Sequence, residues 1–335
     1  MTNWFEGSLT WGIFAMFAIW VIVLLLIVLG FVTYAIYYER KVIGWMQGRY
    51  GPNRVGPFGL LQTVADILKL LMKEDTIPAK ADRVLFKLAP VIAFVPSFAV
   101  LAVIPYTETL VFANLNVGLL YFAALSSIST IGILLGGWAS NNKYALLGGM
   151  RSGAQMISYE IPLIISVAGV ILMSGSLNLG DIVKAQGNGF WQWNFIPQII
   201  GFSVFIVASI AELNRTPFDL PEAESELVAG YHVEYSGFRF AFFMLAEYVY
   251  VYAIASLTTV LFLGGWKPLF PFLDFIPGII WFIIKFLFVV FCLFWLRATL
   301  PRMRIDQLMG LGWKVLLPLS LANLFITAVV MEWFR

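Results

Sequence analysis

The run WGIFAMFAIWVIVLLLIVLGFVTYAIYY (Trp11–Tyr38) holds 28 residues without one charge. As a helix rising ~1.5 Å per residue it would reach ~42 Å, more than the ~30 Å hydrocarbon core of a bilayer. It therefore crosses tilted or extends past the lipid. A cleaved signal peptide, whose apolar core is only about 7–15 residues long, is excluded. Comparable runs follow at 88–107, 117–139, 155–174, 196–212, 238–264, 277–298 and 312–333. The composition agrees: 61% hydrophobic and 12% charged, with a mean hydropathy of +0.88, where soluble domains carry about 25% charge. The chain reads as all-α, a polytopic membrane helix bundle of about eight transmembrane helices, forming one integral membrane domain over residues 1–335.

Basic residues orient it, because short loops rich in Lys and Arg stay on the cytoplasmic side. The connections after spans 1, 3, 5 and 7 contain or border seventeen of the twenty-one Lys and Arg residues. Both termini are thus expected on the periplasmic side. One cysteine, Cys292, and one histidine, His232, supply no disulfide, zinc site, cysteine-ligated cluster or bis-histidine haem. Electrons handled here must come from a partner or pass to a diffusing molecule.

Two cytoplasmic segments stand out. In PFGLLQTVADILKLLMKED (57–75), Leu60, Leu61, Val64, Ile67, Leu68 and Leu71 share one helical side, and Gln62, Asp66, Lys69 and Lys73 another. This is an amphipathic interfacial helix, either a surface anchor or the wall of an opening through which an amphiphile enters. The second segment, AELNRTPFDLPEAESELVAGYHVEYSG (Ala211–Gly237), holds six of the nineteen acids against one basic residue, Arg215. Its acidic loop (213–237) is either solvated or folded back into the bundle beside Leu220, Leu227, Val228 and the phenylalanines after Gly237. Carboxylates crowded in low dielectric titrate as coupled groups with raised pKa values, which suits a proton relay.

Ionisable residues also lie inside apolar spans: Glu160 in QMISYEIPLIIS, Glu247 in FFMLAEYVYVY, Glu212 at the end of span 5, and Lys285 in WFIIKFLF. A charge at the bilayer centre costs about 2.5–3.5 kcal/mol on insertion scales, so such residues face a bundle interior or a wet cavity. Lys285 can instead snorkel toward the nearer interface. Glutamate is too short for that. Pro162 adds an irregularity, since it cannot donate to the Ser158 carbonyl.

These residues carry a family resemblance. GLLQTVADILKLLMKE (59–74) and PFDLPEAESELVAG (217–230) resemble the signature segments of the quinone-site membrane subunit of respiratory complex I, the NADH:quinone oxidoreductase of bacteria and mitochondria. ERKVIGWMQGRYGPNRVGP (39–57), ISYEIP (157–162), FFMLAEY (242–248) and RATLPRMRIDQLM (297–309) resemble further stretches of that family. The match runs from about residue 30 to the end. The resemblance implies a chamber that ubiquinone or menaquinone enters from the lipid, with Glu39, Arg40, Arg49 and Asp66 at the chamber and Arg297 and Arg302 supporting it. It implies a proton relay through Glu160, Glu212, Asp219, Glu222, Glu224, Glu226 and Glu247. No metal or flavin is expected on this chain; iron–sulfur clusters and FMN belong to partner subunits. Expected partners are hydrophilic-arm subunits and the small and antiporter-like membrane subunits, in a bacterial inner membrane. The chain departs from the family at Gly48, where a larger, often basic residue is expected, and in the insert QGNGFWQWN (186–194).

The implied mechanism has quinone reduction change the charge near Arg40, Arg49 and the Asp219–Glu226 loop. Loop rearrangement then alters proton occupancy at Glu224, Glu226, Glu212 and Glu160, and the charge change reaches antiporter-like neighbours. One alternative is the membrane anchor of an energy-converting nickel–iron hydrogenase or formate hydrogenlyase, which needs no quinone. A secondary transporter is the other, since carboxylates in broken helices suit ion coupling.

Overall fold

The computed structural model describes residues 11–219 and 227–333; the described residues form helices joined by turns, with no strand among them. They fall into two compact units, Met1–Leu71 and Met72–Arg335.

The first unit contains α1 (Trp11–Met46), a single 3₁₀ turn (Pro57–Gly59) and α2 (Gln62–Met72). Helix α1 outruns its apolar stretch by two turns, so Glu39, Arg40 and Lys41 continue the helix past the lipid-compatible part. It ends at Gly48, whose φ of 65° is left-handed. There the Gly48 N–H donates to the Trp45 carbonyl and that of Arg49 to the Gly44 carbonyl, at 3.2 and 2.9 Å. A left-handed residue after a helix satisfies its last carbonyls, and glycine adopts it without a Cβ penalty. Gly48 is therefore the helix cap. Helix α2 is amphipathic as expected, with Val64, Ile67, Leu68 and Leu71 exposed along one side.

The second unit runs α3 (Arg83–Ala99), α4 (Gly118–Ala139), α5 (Lys143–Ser174), α6 (Leu179–Ala185), α7 (Ile199–Glu212), α8 (Gly237–Leu261), α9 (Gly278–Thr299) and α10 (Ile305–Trp333), the last containing a π-helical stretch at Leu311–Leu316. Polar caps set several starts. Asp82 accepts from Val84 N and Leu85 N at 3.0 and 3.2 Å, and Asn142 accepts from Tyr144 N at 2.9 Å, each supplying an acceptor that the first turn lacks. Helix α5 packs on α4, α7 and α10, and α3 packs on α4 and α8. Every residue of α8 from Tyr248 to Leu261 is buried, as befits a helix apolar all round. On the outside, α4, α5, α9 and α10 expose large apolar side chains such as Ile131, Ile164, Phe288 and Phe325. Apolar faces this continuous match lipid rather than water, and the chain is a multi-pass membrane protein.

Among the described helices, seven are long and apolar enough to cross a membrane, and α7 is a shorter apolar one. Two starts move most. Helix α5 starts twelve residues before the apolar run at 155, because Gly148, Gly149, Ser152 and Gly153 are buried against neighbouring backbone and side chains rather than solvated. Helix α10 starts at Ile305 rather than 312. Pro162 sits buried inside α5 without ending it.

Candidate functional site

Helix α7 has 14 residues and reaches only ~21 Å, short of the ~30 Å hydrocarbon core. It stops at Glu212, and residues 213–219 continue as non-helical backbone. Irregular backbone at membrane depth is tolerated only where protein surrounds it. Leu213, Arg215, Phe218 and Asp219 are all buried. The amide of Gln155 on α5 holds both ends of the turn, donating to the carbonyls of Ala211 at 2.7 Å and Phe218 at 2.8 Å. Asn214 Nδ2 adds a bond to Ser152 Oγ at 3.0 Å. The acidic segment thus folds back into the bundle as far as Asp219. Glu222, Glu224 and Glu226 lie outside the described residues.

Glu212 is buried where the helix breaks. Its Oε1 accepts from the Tyr250 hydroxyl at 2.7 Å, while Oε2 has no hydrogen-bond partner among the described residues. Ser126 lies beside this pair, and the charge of Glu160 acts on it. Glu160 itself, half-buried on α5, accepts a short hydrogen bond from Ser127 on α4. A cavity of about 40 Å³ is lined by Ser129, Glu212, Asn214, Tyr231, Glu247 and Tyr250 among others. Water needs about 10–15 Å³, so this space, with Glu212 and Glu247 both on its wall, is large enough to hold one.

Glu247 pairs with Arg215 at 2.8 Å, both largely withdrawn from solvent. The Arg215 guanidinium also lies 4.3 Å from the Tyr248 ring centroid and 5.5 Å from that of Phe294. Asp219 pairs with Arg302 at 3.0 Å. Burial pushes the Asp219 carboxyl above its usual range, and the charges of Arg302, Arg297 and Arg215 pull it back. Three of the expected basic and acidic positions therefore share one location beneath the turn: Asp219, Arg297 and Arg302.

In the first unit Arg40 Nη1 meets Asp66 Oδ2 at 2.7 Å, and Gln62 donates to the other oxygen at 3.2 Å. Glu39 is buried, and Arg49 reaches Gln47 at 2.7 Å on the surface. The structure thus joins Arg40 with Asp66 and leaves Arg49 outside that pair.

Sequence reasoning missed Tyr250, Ser127, Ser126 and Gln155. The signal available was the alternation YVYVY (248–252) beside Glu247, which places phenols on more than one side of a buried helix.

A family profile described as NADH dehydrogenase matches residues 19–328. The chain belongs to the NADH dehydrogenase family. Relatives named as the H subunit of NADH-quinone oxidoreductase cover it end to end. That of Anoxybacillus flavithermus is 65% identical over 335 residues, 100% of this chain and 99% of its own. That of Brevibacillus brevis is 63% identical over 333 residues, 99% of this chain and 98% of its own. That of Geobacillus kaustophilus is 63% identical over 335 residues, with 100% and 99% covered. The resemblance read from the signature segments is borne out. As a member of the NADH dehydrogenase family, the chain is a subunit of an NADH-quinone oxidoreductase, and its partners are other subunits of that enzyme.

Proposed function

We propose that this chain forms part of the quinone chamber of the enzyme and couples quinone reduction to proton translocation through its buried carboxylates. The observation that carries the reading is the broken end of α7. There Glu212, hydrogen-bonded to Tyr250, shares a cavity with Glu247, whose partner Arg215 sits four residues before Asp219. A carboxylate in low dielectric holds or releases a proton according to nearby charge. A change of charge at Asp219, Arg297 and Arg302 would therefore be felt along the turn at Arg215 and Glu247, then at Glu212 and Glu160.

Ubiquinone or menaquinone is the substrate, with Glu39, Arg40, Arg49 and Asp66 at its chamber. Electrons arrive from NADH through FMN and iron–sulfur clusters on hydrophilic-arm partners. Small and antiporter-like membrane subunits receive the charge change. The basic-residue distribution supports a cytoplasmic acidic loop and both termini on the periplasmic side of a bacterial inner membrane.

The test uses the assembled complex in native membranes. Glu212→Gln and Glu160→Gln are expected to cut quinone-linked NADH oxidation strongly while sparing NADH oxidation by an artificial acceptor. Full activity and normal pumping in both variants would remove the relay. Native separation of a tagged copy, with NADH staining and mass spectrometry, checks the partners; migration alone or with a hydrogenase counts against them.

A further inference from the structure

Helix α9 has 22 residues and rises ~33 Å, close to the ~30 Å hydrocarbon core of a bilayer. Its two ends therefore lie near the two headgroup layers. One is at Arg297, whose charge acts on Asp219; the other is at Gly278, away from the buried acids. A cleft of about 480 Å³ opens at the Gly278 end, within the ~300–1,000 Å³ of small-molecule sites. Three connections wall it. Glu108 comes from the α3–α4 loop, Lys184 and Asn188 from the end of α6 and the 186–194 insert, and Lys267, Asp274 and Phe275 from the α8–α9 loop.

Bonds beneath the cleft hold these walls in place. Lys285 does not snorkel: it is buried, and its Nζ donates to the carbonyls of Gly265 at 3.0 Å and Lys267 at 2.6 Å, fixing that turn. The Lys267 ammonium reaches across to the carbonyls of Lys184, at 3.0 Å, and Gln186. The insert is anchored from below, where Gln186 Nε2 donates to Val260 O and Asn194 Nδ2 to Leu261 O, both at 2.9 Å.

The polar groups facing the cleft are underused. Lys184 and Glu108 stand 3.6 Å apart with side chains 56% and 67% exposed, a surface pair worth little and free to change partners. Asp274 and Asn188 have no side-chain hydrogen bond or ion pair among the described residues. Two lysines and two carboxylates cancel, which suits a ligand that carries both signs. Asp274 also lies in FPFLDFIP (270–277), where Phe272 and Phe275 are 74% and 79% exposed. Rings exposed at this depth lie against the boundary between headgroups and acyl chains rather than in water.

We propose that this cleft binds the headgroup of a zwitterionic aminophospholipid. The primary ammonium of an ethanolamine headgroup donates to Asp274, the phosphate accepts from Lys184 and Asn188, and the acyl chains pass over Phe272 and Phe275 into the bilayer. Both polar contacts to ionised side chains are charge-assisted. An anionic lipid would leave Asp274 and Glu108 uncompensated, and a trimethylated choline headgroup has no N–H to donate.

The test places a photoreactive phenylalanine analogue at position 275 of the whole complex. The complex is reconstituted into vesicles of equal parts phosphatidylethanolamine and phosphatidylglycerol, and the cross-linked peptide is identified by mass. Phosphatidylethanolamine adducts should exceed phosphatidylglycerol adducts several-fold. Asp274→Asn should bring that ratio close to one, and Asp274→Glu should preserve it. Replacing phosphatidylethanolamine by phosphatidylcholine should remove most zwitterionic adducts, a comparison that needs no change at Asp274 and so stands if Asp274→Asn fails to assemble. Adducts mainly with phosphatidylglycerol, or equally with phosphatidylcholine, overturn the proposal. So does a ratio unmoved by Asp274→Asn. A cross-link to another subunit of the complex makes the cleft a protein contact and overturns it too.

Discussion

The Tyr250 hydroxyl donates to Glu212 Oε1 at 2.7 Å, and this bond joins α8 to the carboxylate that ends α7. The two residues lie on either side of the acidic loop (213–237) in sequence. Tyr250→Phe removes the donor and keeps the ring. A lost hydrogen bond of this kind is worth about 1–2 kcal/mol, roughly tenfold in rate. Quinone-linked NADH oxidation is expected to fall by that order while artificial-acceptor activity holds. Equal rates in both assays would show that the phenol plays no part in coupling.

Arg215 and Glu247 form a pair with side chains 4% and 18% exposed. Breaking a buried pair by removing one partner costs about 3–5 kcal/mol, because the other charge stays buried. Arg215→Gln should therefore lower the melting temperature of the purified complex. Arg215→Gln with Glu247→Gln should recover part of that loss, since no charge is then stranded. Additive losses would indicate that the two side chains act independently.

His232 lies in the loop before α8, between the Tyr231 and Phe240 rings at 4.9 and 5.2 Å. Burial pushes its pKa down from 6.5 to about 4. Between those values the unfolded chain takes up a proton that the folded chain refuses. The contribution of His232 is thus fully present above pH 6.5 and is lost as the pH falls toward 4, at no more than about 1.4 kcal/mol per pH unit. Melting temperature measured across this window should fall less steeply in His232→Gln. Identical slopes would show that the imidazole titrates normally.

Asp219 is raised by burial and lowered by Arg302, Arg297 and Arg215. Arg302→Gln removes the strongest of the three restraints, so the carboxyl should protonate at a higher pH. The acidic limb of the quinone-linked activity profile should then move toward neutrality, with Arg302→Lys closer to the parent. A limb that stays fixed while the maximal rate falls would make Arg302 a packing residue only.

Much of this architecture is legible without coordinates. Lipid cannot hydrogen-bond the backbone, so long apolar runs must become helices, and hydropathy alone located α4, α8 and α9 within a few residues. The periodicity of Leu60 to Leu71 likewise announced α2. Hydropathy failed at the start of α5, where GGMRSG (148–153) looks like a loop and is instead a helix face whose small residues allow close packing. It failed again at Lys285, which could reach an interface but is held by two backbone carbonyls and an indole brought there by other segments.

The sequence by itself determined that this chain is a membrane helix bundle, which family its signature segments belong to, and that acids lie where acids are costly. Only the tertiary structure decided which partner each acid takes. Glu212 meets Tyr250 across 38 positions, Asp219 meets Arg302 across 83, and Glu160 meets Ser127 across 33. Helical periodicity reports which side of its own helix a residue occupies. What stands opposite depends on how separate helices pack, and the partners of these acids are set by that packing.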